Sequence, residues 1–170
     1  MAITVVPYQG TWRAQAAGVI AQLEAALTDV QADSIEHIGS TSVPGLAAKP
    51  VLDIDVIVAR EHVQAAIEAL SASGYRHVGD RGITGRESLE APDHGPRRNV
   101  YVCESGTLHV RNHLVVRDIL RDRPDLRDEY GAVKLALATD PNMHIDTYVA
   151  RKSAVLQKVL AESELSEADA

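Results

Sequence analysis

Asp53 and Asp55 lie two residues apart in Val51-Leu52-Asp53-Ile54-Asp55-Val56-Ile57-Val58, and twelve residues separate the first of them from the pair Gly39-Ser40. The strand-like run around the two acids is almost all β-branched or aliphatic, so it reads as buried, and its period of two puts both carboxylates on one face. Neighbouring buried carboxylates are desolvated and repel each other. The usual remedies are a raised pKa, a cationic side chain or a hard metal ion held through oxygen. Upstream, His37-Ile38-Gly39-Ser40-Thr41-Ser42-Val43-Pro44-Gly45-Leu46 supplies a glycine that lets backbone come close and hydroxyls and amides that bind phosphate oxygens. A triphosphate and a divalent cation could be held side by side by such a pair of features.

The remaining pattern says which elements must position them. Ile3–Val6 reads as a short extended segment, and Gly10-Thr11 leads into a helix over 11–28 with Ala16, Val19, Ile20, Leu23, Ala26 and Leu27 at helical spacing. A strand at 33–38 feeds the loop, which reaches Pro50 through the turn dipeptide Pro44-Gly45. After the aspartate strand, Val63, Ala66, Ile67 and Leu70 mark a helix over 61–71 that Ser73-Gly74 closes. Strands follow at 75–78, 87–90 and 99–103, the last after a polar loop with two prolines at 91–98. From Thr107 the spacing predicts helices over 107–122, 124–138 and 143–162, with Pro124 at the first position of the second. The tail 163–170 is acidic and small and is expected to fray. The expected architecture is one α+β domain, with a core of about 1–104 and a helical cap of about 105–162.

Composition narrows the classes. With 170 residues, 45% hydrophobic and 24% charged, the chain suits one domain with a real core. A net charge of −7 argues against general binding to nucleic-acid backbones, which needs clustered Lys and Arg. No apolar run is long enough to cross a bilayer and Met1–Thr4 does not start a signal peptide, so no membrane partner is expected and the cytoplasm is the expected compartment. The single cysteine, Cys103, excludes an internal disulfide and a multi-cysteine zinc site.

The string from His37 to Asp55 resembles the GrpB-like proteins, and Gly39-Ser40 followed by Asp53-Ile54-Asp55 resembles the signature of the nucleotidyltransferase superfamily. Further matching pieces are Gly82-Ile83-Thr84-Gly85-Arg86, Asn99–Cys103, Arg117–Arg121, Tyr130 with Lys134, and Tyr148 with Lys152, so that the resemblance covers residues 5–160. It implies a nucleotidyltransferase-like mixed β-sheet with flanking helices and a C-terminal helical cap. It further implies Asp53 and Asp55 as catalytic metal ligands for one or two magnesium ions, and ATP or another nucleoside triphosphate as substrate. Gly39, Ser40, Thr41 and Ser42 would bind its phosphates, with added charge from Lys49 and Arg86. Two such metals, about 3.5–4 Å apart, clamp both attacking and leaving oxygens in an in-line displacement. The small size and acidic charge fit a small-molecule acceptor. GrpB-like domains also occur fused to dephospho-coenzyme A kinases, which gives the alternative of a degenerate nucleotide-binding or accessory module; this chain has no Gly-x-x-x-x-Gly-Lys-Ser/Thr loop of its own.

One departure stands out. The superfamily takes a third carboxylate from a later strand, and 99–103 offers Asn99, Tyr101 and Cys103 on the relevant face, with Glu90 and Glu104 only at neighbouring strand ends. Each candidate also has a plain structural reading: a solvent-facing strand for the aspartates, turn or cap chemistry for Ser40, Thr41 and Ser42, and a solvated side chain for Lys49. Arg98 could neutralise phosphate, and His37 could orient a ligand or sit hydrogen-bonded in its strand. His109 and His113 share a helix face, yet no third ligand is evident. Arg117-Asp118 and the two Tyr–Lys pairs most simply tie the helical cap together; in the alternative reading the lysines reach the phosphates across the cleft.

Overall fold

The computed structural model describes the backbone of residues 4–168 and the side chains of 4–163. Among the described residues there are five α-helices, α1 (Thr11–Ala26), α2 (Val63–Ala72), α3 (Leu108–Asp122), α4 (Pro124–Thr139) and α5 (Ile145–Ala168). The strands are β1 (Ser34–Ile38), β2 (Leu52–Val58), β3 (Arg76–Gly79), β4 (Arg86–Glu90) and β5 (Arg98–Glu104), joined in one sheet of order β1-β2-β5-β4-β3. The sheet is mixed, because β2 and β5 run parallel while the other pairs are antiparallel. The α+β class expected from the sequence is thus observed. Ile3 and the end of the expected tail, Asp169 and Ala170, lie outside the described residues.

The chain divides into two compact units, each made of several segments. One comprises residues 11–38 and 51–111 and contains α1, α2 and the whole sheet. Its β2 alternates as predicted. Leu52, Ile54, Val56 and Val58 are buried along one face with Val100 and Val102 of β5, and α1 and α2 pack against the sheet. In α1 the buried residues Trp12, Ala16, Val19 and Leu23 recur every three to four positions, the spacing that lets a helix cover a sheet along one stripe.

The other unit comprises residues 1–10, 39–50 and 112–170. The 39–50 loop therefore groups with the C-terminal helices. Val43 and Leu46 of the loop are buried with Leu120 of α3, Leu126 and Tyr130 of α4 and Val159 of α5. A two-way backbone bridge between Val6 and Ala48, at 2.9 and 3.0 Å, fixes the loop's far end. α4 opens with Pro124 in its first turn, where a missing N–H costs nothing. Among the described residues, no helix is long and apolar enough to cross a membrane.

Candidate functional site

The two aspartates occupy the β2 face opposite the apolar one. Register places Asp53 between Ile38 and Asn99, and Asp55 between Glu36 and Tyr101, so both look out over the β5 side chains Asn99, Tyr101 and Cys103. Asp55 is fully buried and Asp53 half-buried. The Asn99 amide donates to Asp53 Oδ1 at 2.8 Å. Cys103 donates its thiol to Asp55, and burial, reinforced by that negative neighbour, holds the thiol protonated well above its ordinary range. Burial also raises Tyr101, with the charges of Asp53 and Asp55 adding to the shift and Arg86 opposing it. His37 registers with Ile54 and so belongs to the opposite face.

Neither of the acids that might have completed the pair joins it. Glu90 is held by Arg76 and, at 3.5 Å, by Arg81. Glu104 registers with Val58 on the other face, 4.0 Å from Arg60. Among the described residues no group of three or more His, Cys, Asp and Glu side chains is arranged to hold a metal. Two carboxylates on one face are nevertheless an oxygen-only donor set of the kind magnesium takes.

Arg86 places its guanidinium 4.6 Å from the centre of the Tyr101 ring. Arg98 is fully engaged in structure. It grips both oxygens of Asp93 at 2.8 and 2.9 Å and donates to Tyr75 at 3.2 Å, closing the 91–98 loop and holding the Asp93 carboxyl down at about 2.

In the helical unit, Gly39 has φ 71° and ψ −173°, a combination essentially reserved for glycine. From there Ser40, Thr41 and Ser42 form one 3-10 turn. The Ser42 hydroxyl donates to Gly39 O at 2.6 Å, while its carbonyl accepts both Nε and Nη2 of Arg121, at 3.0 and 2.8 Å. Ser40 is hydrogen-bonded to the Tyr130 hydroxyl, and burial raises that phenol's pKa. Lys134, one turn on from Tyr130, sets its ammonium 4.5 Å from the Tyr130 ring centre; it is 2% exposed and has no hydrogen-bond partner. Burial first and the charge of Lys152 second lower its pKa from 10.5 to about 7. Tyr148 lies beneath Lys49 at 5.1 Å and Lys152 at 6.0 Å. The sequence left Lys134 open between cap packing and reaching phosphates; what it did not show is the burial of its ammonium without a hydrogen-bond partner.

The family model described as GrpB protein matches residues 2–162. The chain belongs to the GrpB family. A crystal structure of conserved protein GrpB from Enterococcus faecalis superposes with a TM-score of 0.79 at 32% identity, covering 94% of this chain and 99% of that one. A UPF0157 protein of Streptomyces coelicolor is 41% identical over 124 residues, 72% of this chain and 64% of its own. A dephospho-CoA kinase of Mycolicibacterium paratuberculosis is 30% identical over 88% of this chain and 43% of its own length. This GrpB chain spans about a third to two thirds of the length of the first curated relatives it matches. The structure of Cid1 in complex with its short product ApU has a TM-score of 0.56 at 16% identity, over 75% of this chain and 41% of Cid1. That likeness concerns fold, and it bears out the nucleotidyltransferase-like architecture expected from Gly39-Ser40 and Asp53-x-Asp55.

Proposed function

We propose that this protein is a magnesium-dependent nucleotidyltransferase that moves a nucleoside monophosphate from ATP or another nucleoside triphosphate to a small-molecule acceptor. The observation that carries this reading is Lys134. A buried ammonium without a hydrogen-bond partner, beside a second lysine, is costly unless an anion arrives to neutralise both. A triphosphate is the anion suited to this set, since Ser40 lies on the same tyrosine and the loop amides are of the kind that bind phosphate oxygens. Gly39 would let the backbone close on the phosphates. Ser40 and Thr41 would orient them, Ser42 would hold the turn in shape, and Lys49, Lys134 and Lys152 would neutralise them. The chain links this loop to the sheet directly, because Gly39 follows Ile38, the register partner of Asp53.

Asp53 and Asp55 would hold the metal, and with no third acid grouped with them among the described residues the donor set suits a single ion. When bound, magnesium supplies Lewis-acid polarisation of the phosphoryl oxygens. Asn99 and Cys103, each donating to one aspartate, fix the two carboxylates before any ligand arrives. A second reading, a nucleotide-binding module attached to another enzyme, is favoured by that same absent acid and by the likeness to part of a dephospho-CoA kinase.

Calorimetry with ATP, with and without magnesium, tests both. The transferase reading expects metal-dependent binding that Asp53→Asn with Asp55→Asn abolishes. ATP affinity unchanged by the double substitution sinks the metal assignment, and binding without turnover on any acceptor selects the module.

A further inference from the structure

At β4 and β5, one strand beyond the aspartates, lies a small polar recess that the donor nucleotide does not account for. It measures about 120 Å³, and its lining includes Arg81, Ser88, Glu90, Arg98, Asn99 and Tyr101; Arg86 adjoins it through the Tyr101 ring. Ser88 registers with Tyr101, which registers in turn with Asp55, so the three form one row across β4, β5 and β2. Ser88 is 5% exposed, and its hydroxyl has no hydrogen-bond partner. Arg86, two residues earlier on the same face, stacks on Tyr101, and its buried Nε likewise has none. Stacking occupies the face of a guanidinium and leaves its N–H edge pointing outward in plane. A hydroxyl and a guanidinium Nε–H, both buried and both lacking acceptors, are complementary to an oxyanion.

We infer that Arg86, Ser88 and Tyr101 form a binding site for a carboxylate, and that Arg86 acts there and not on the donor's phosphates. The charge balance selects a carboxylate over a phosphate. Arg81 is engaged by Glu90 and Arg98 by Asp93, so the Arg86 guanidinium remains to meet the ligand on a face that already carries Asp53 and Asp55. A planar monoanion matches the guanidinium edge and adds the least charge. On the transferase reading, the carboxylate belongs to the acceptor. Two strand spacings then separate it from Asp55, so its nucleophile sits on the order of 10 Å or less from the carboxyl group. The acceptor class is a short hydroxy or amino carboxylic acid.

The test is an acetate titration followed by nitrogen-15 NMR of the intact chain, at constant ionic strength, without nucleotide or magnesium. Its outcome is therefore independent of whether ATP binds. The Arg86 Nε–H signal and the Ser88 and Tyr101 amides should shift and saturate with millimolar affinity. Arg86→Gln should weaken that affinity by at least about tenfold, and Ser88→Ala, which keeps the stacked pair intact, by a smaller factor. Inorganic phosphate should shift these signals less than acetate does. Absence of saturation, equal affinity in both variants, or phosphate binding tighter than acetate each overturns the carboxylate site.

Discussion

Lys134 sits among Tyr130, Leu126 and Leu137 on the buried side of α4, and nothing in its surroundings accepts its protons. A buried amine with no acceptor weakens the free protein. Its pKa in the folded chain, about 7, is below the ordinary 10.5, so between those values the unfolded chain binds a proton that the folded chain does not. Stability contributed at this position therefore rises with pH across that window, and the cost is complete below pH 7. Lys134→Met should stabilise the free protein by about 1–3 kcal/mol at pH 6, with the gain fading toward pH 10, as read by urea denaturation. The same variant should bind ATP more weakly, and wild-type binding near pH 8 should take up a proton, visible as calorimetric heats that vary with the buffer's ionisation enthalpy. A Met variant less stable than wild type would show that the amine is not the costly group. Gly39 is the complementary case. Its backbone conformation excludes a side chain, so Gly39→Ala should cost about 1–3 kcal/mol of stability and distort the turn that carries Ser40.

Among the elements, the 39–50 loop owes its shape to helices far along the chain. Arg121 forks onto Ser42 O, Arg127 reaches Pro44 O at 3.4 Å, and the Arg127 guanidinium lies where a side chain on Gly45 (φ 83°) would reach, 3.2 Å away. Arg121→Ala should leave the sheet intact, speed amide exchange in residues 40–48 and lower ATP affinity about tenfold, since both hydrogen bonds come from a charged group. These partners were not legible in the sequence, because Arg121 and Ser42 are 79 residues apart and nothing periodic links them. The strands and helices were legible for the opposite reason. Val56 and Ile57, or Val19 and Leu23, announce their element through spacing alone. That the two aspartates share a face followed from the period of two; which side chains of β5 they meet needed the register, Asp53 with Asn99 and Asp55 with Tyr101. The orphaned hydroxyl of Ser88 and the buried ammonium of Lys134 left no local mark, since burial is decided by neighbours from other segments.

At the scale of the whole molecule, the chain crosses between its two units at residues 10–11, 38–39, 50–51 and 111–112, so neither unit is a continuous piece of sequence. The loop segment of one unit is tethered at both ends to strands of the other, β1 and β2. Closing such a loop before its partners have formed costs entropy that no local contact returns. Thermal unfolding followed by circular dichroism and by tyrosine fluorescence should therefore give one shared transition. Truncation after Arg111 gives the sharper test. The shortened chain keeps every residue of the sheet unit, including Asp53, Asp55, Arg86, Ser88 and Tyr101, but removes Leu120, Leu126, Tyr130 and Val159, which bury Val43 and Leu46. Left uncovered, those loop residues add apolar surface between β1 and β2, and Lys134 and Lys152 are gone. The expected result is a chain that aggregates or binds no ATP. A truncated protein that stays monomeric and binds ATP with magnesium as the full chain does would place the nucleotide wholly on the sheet unit and remove the helices from phosphate binding.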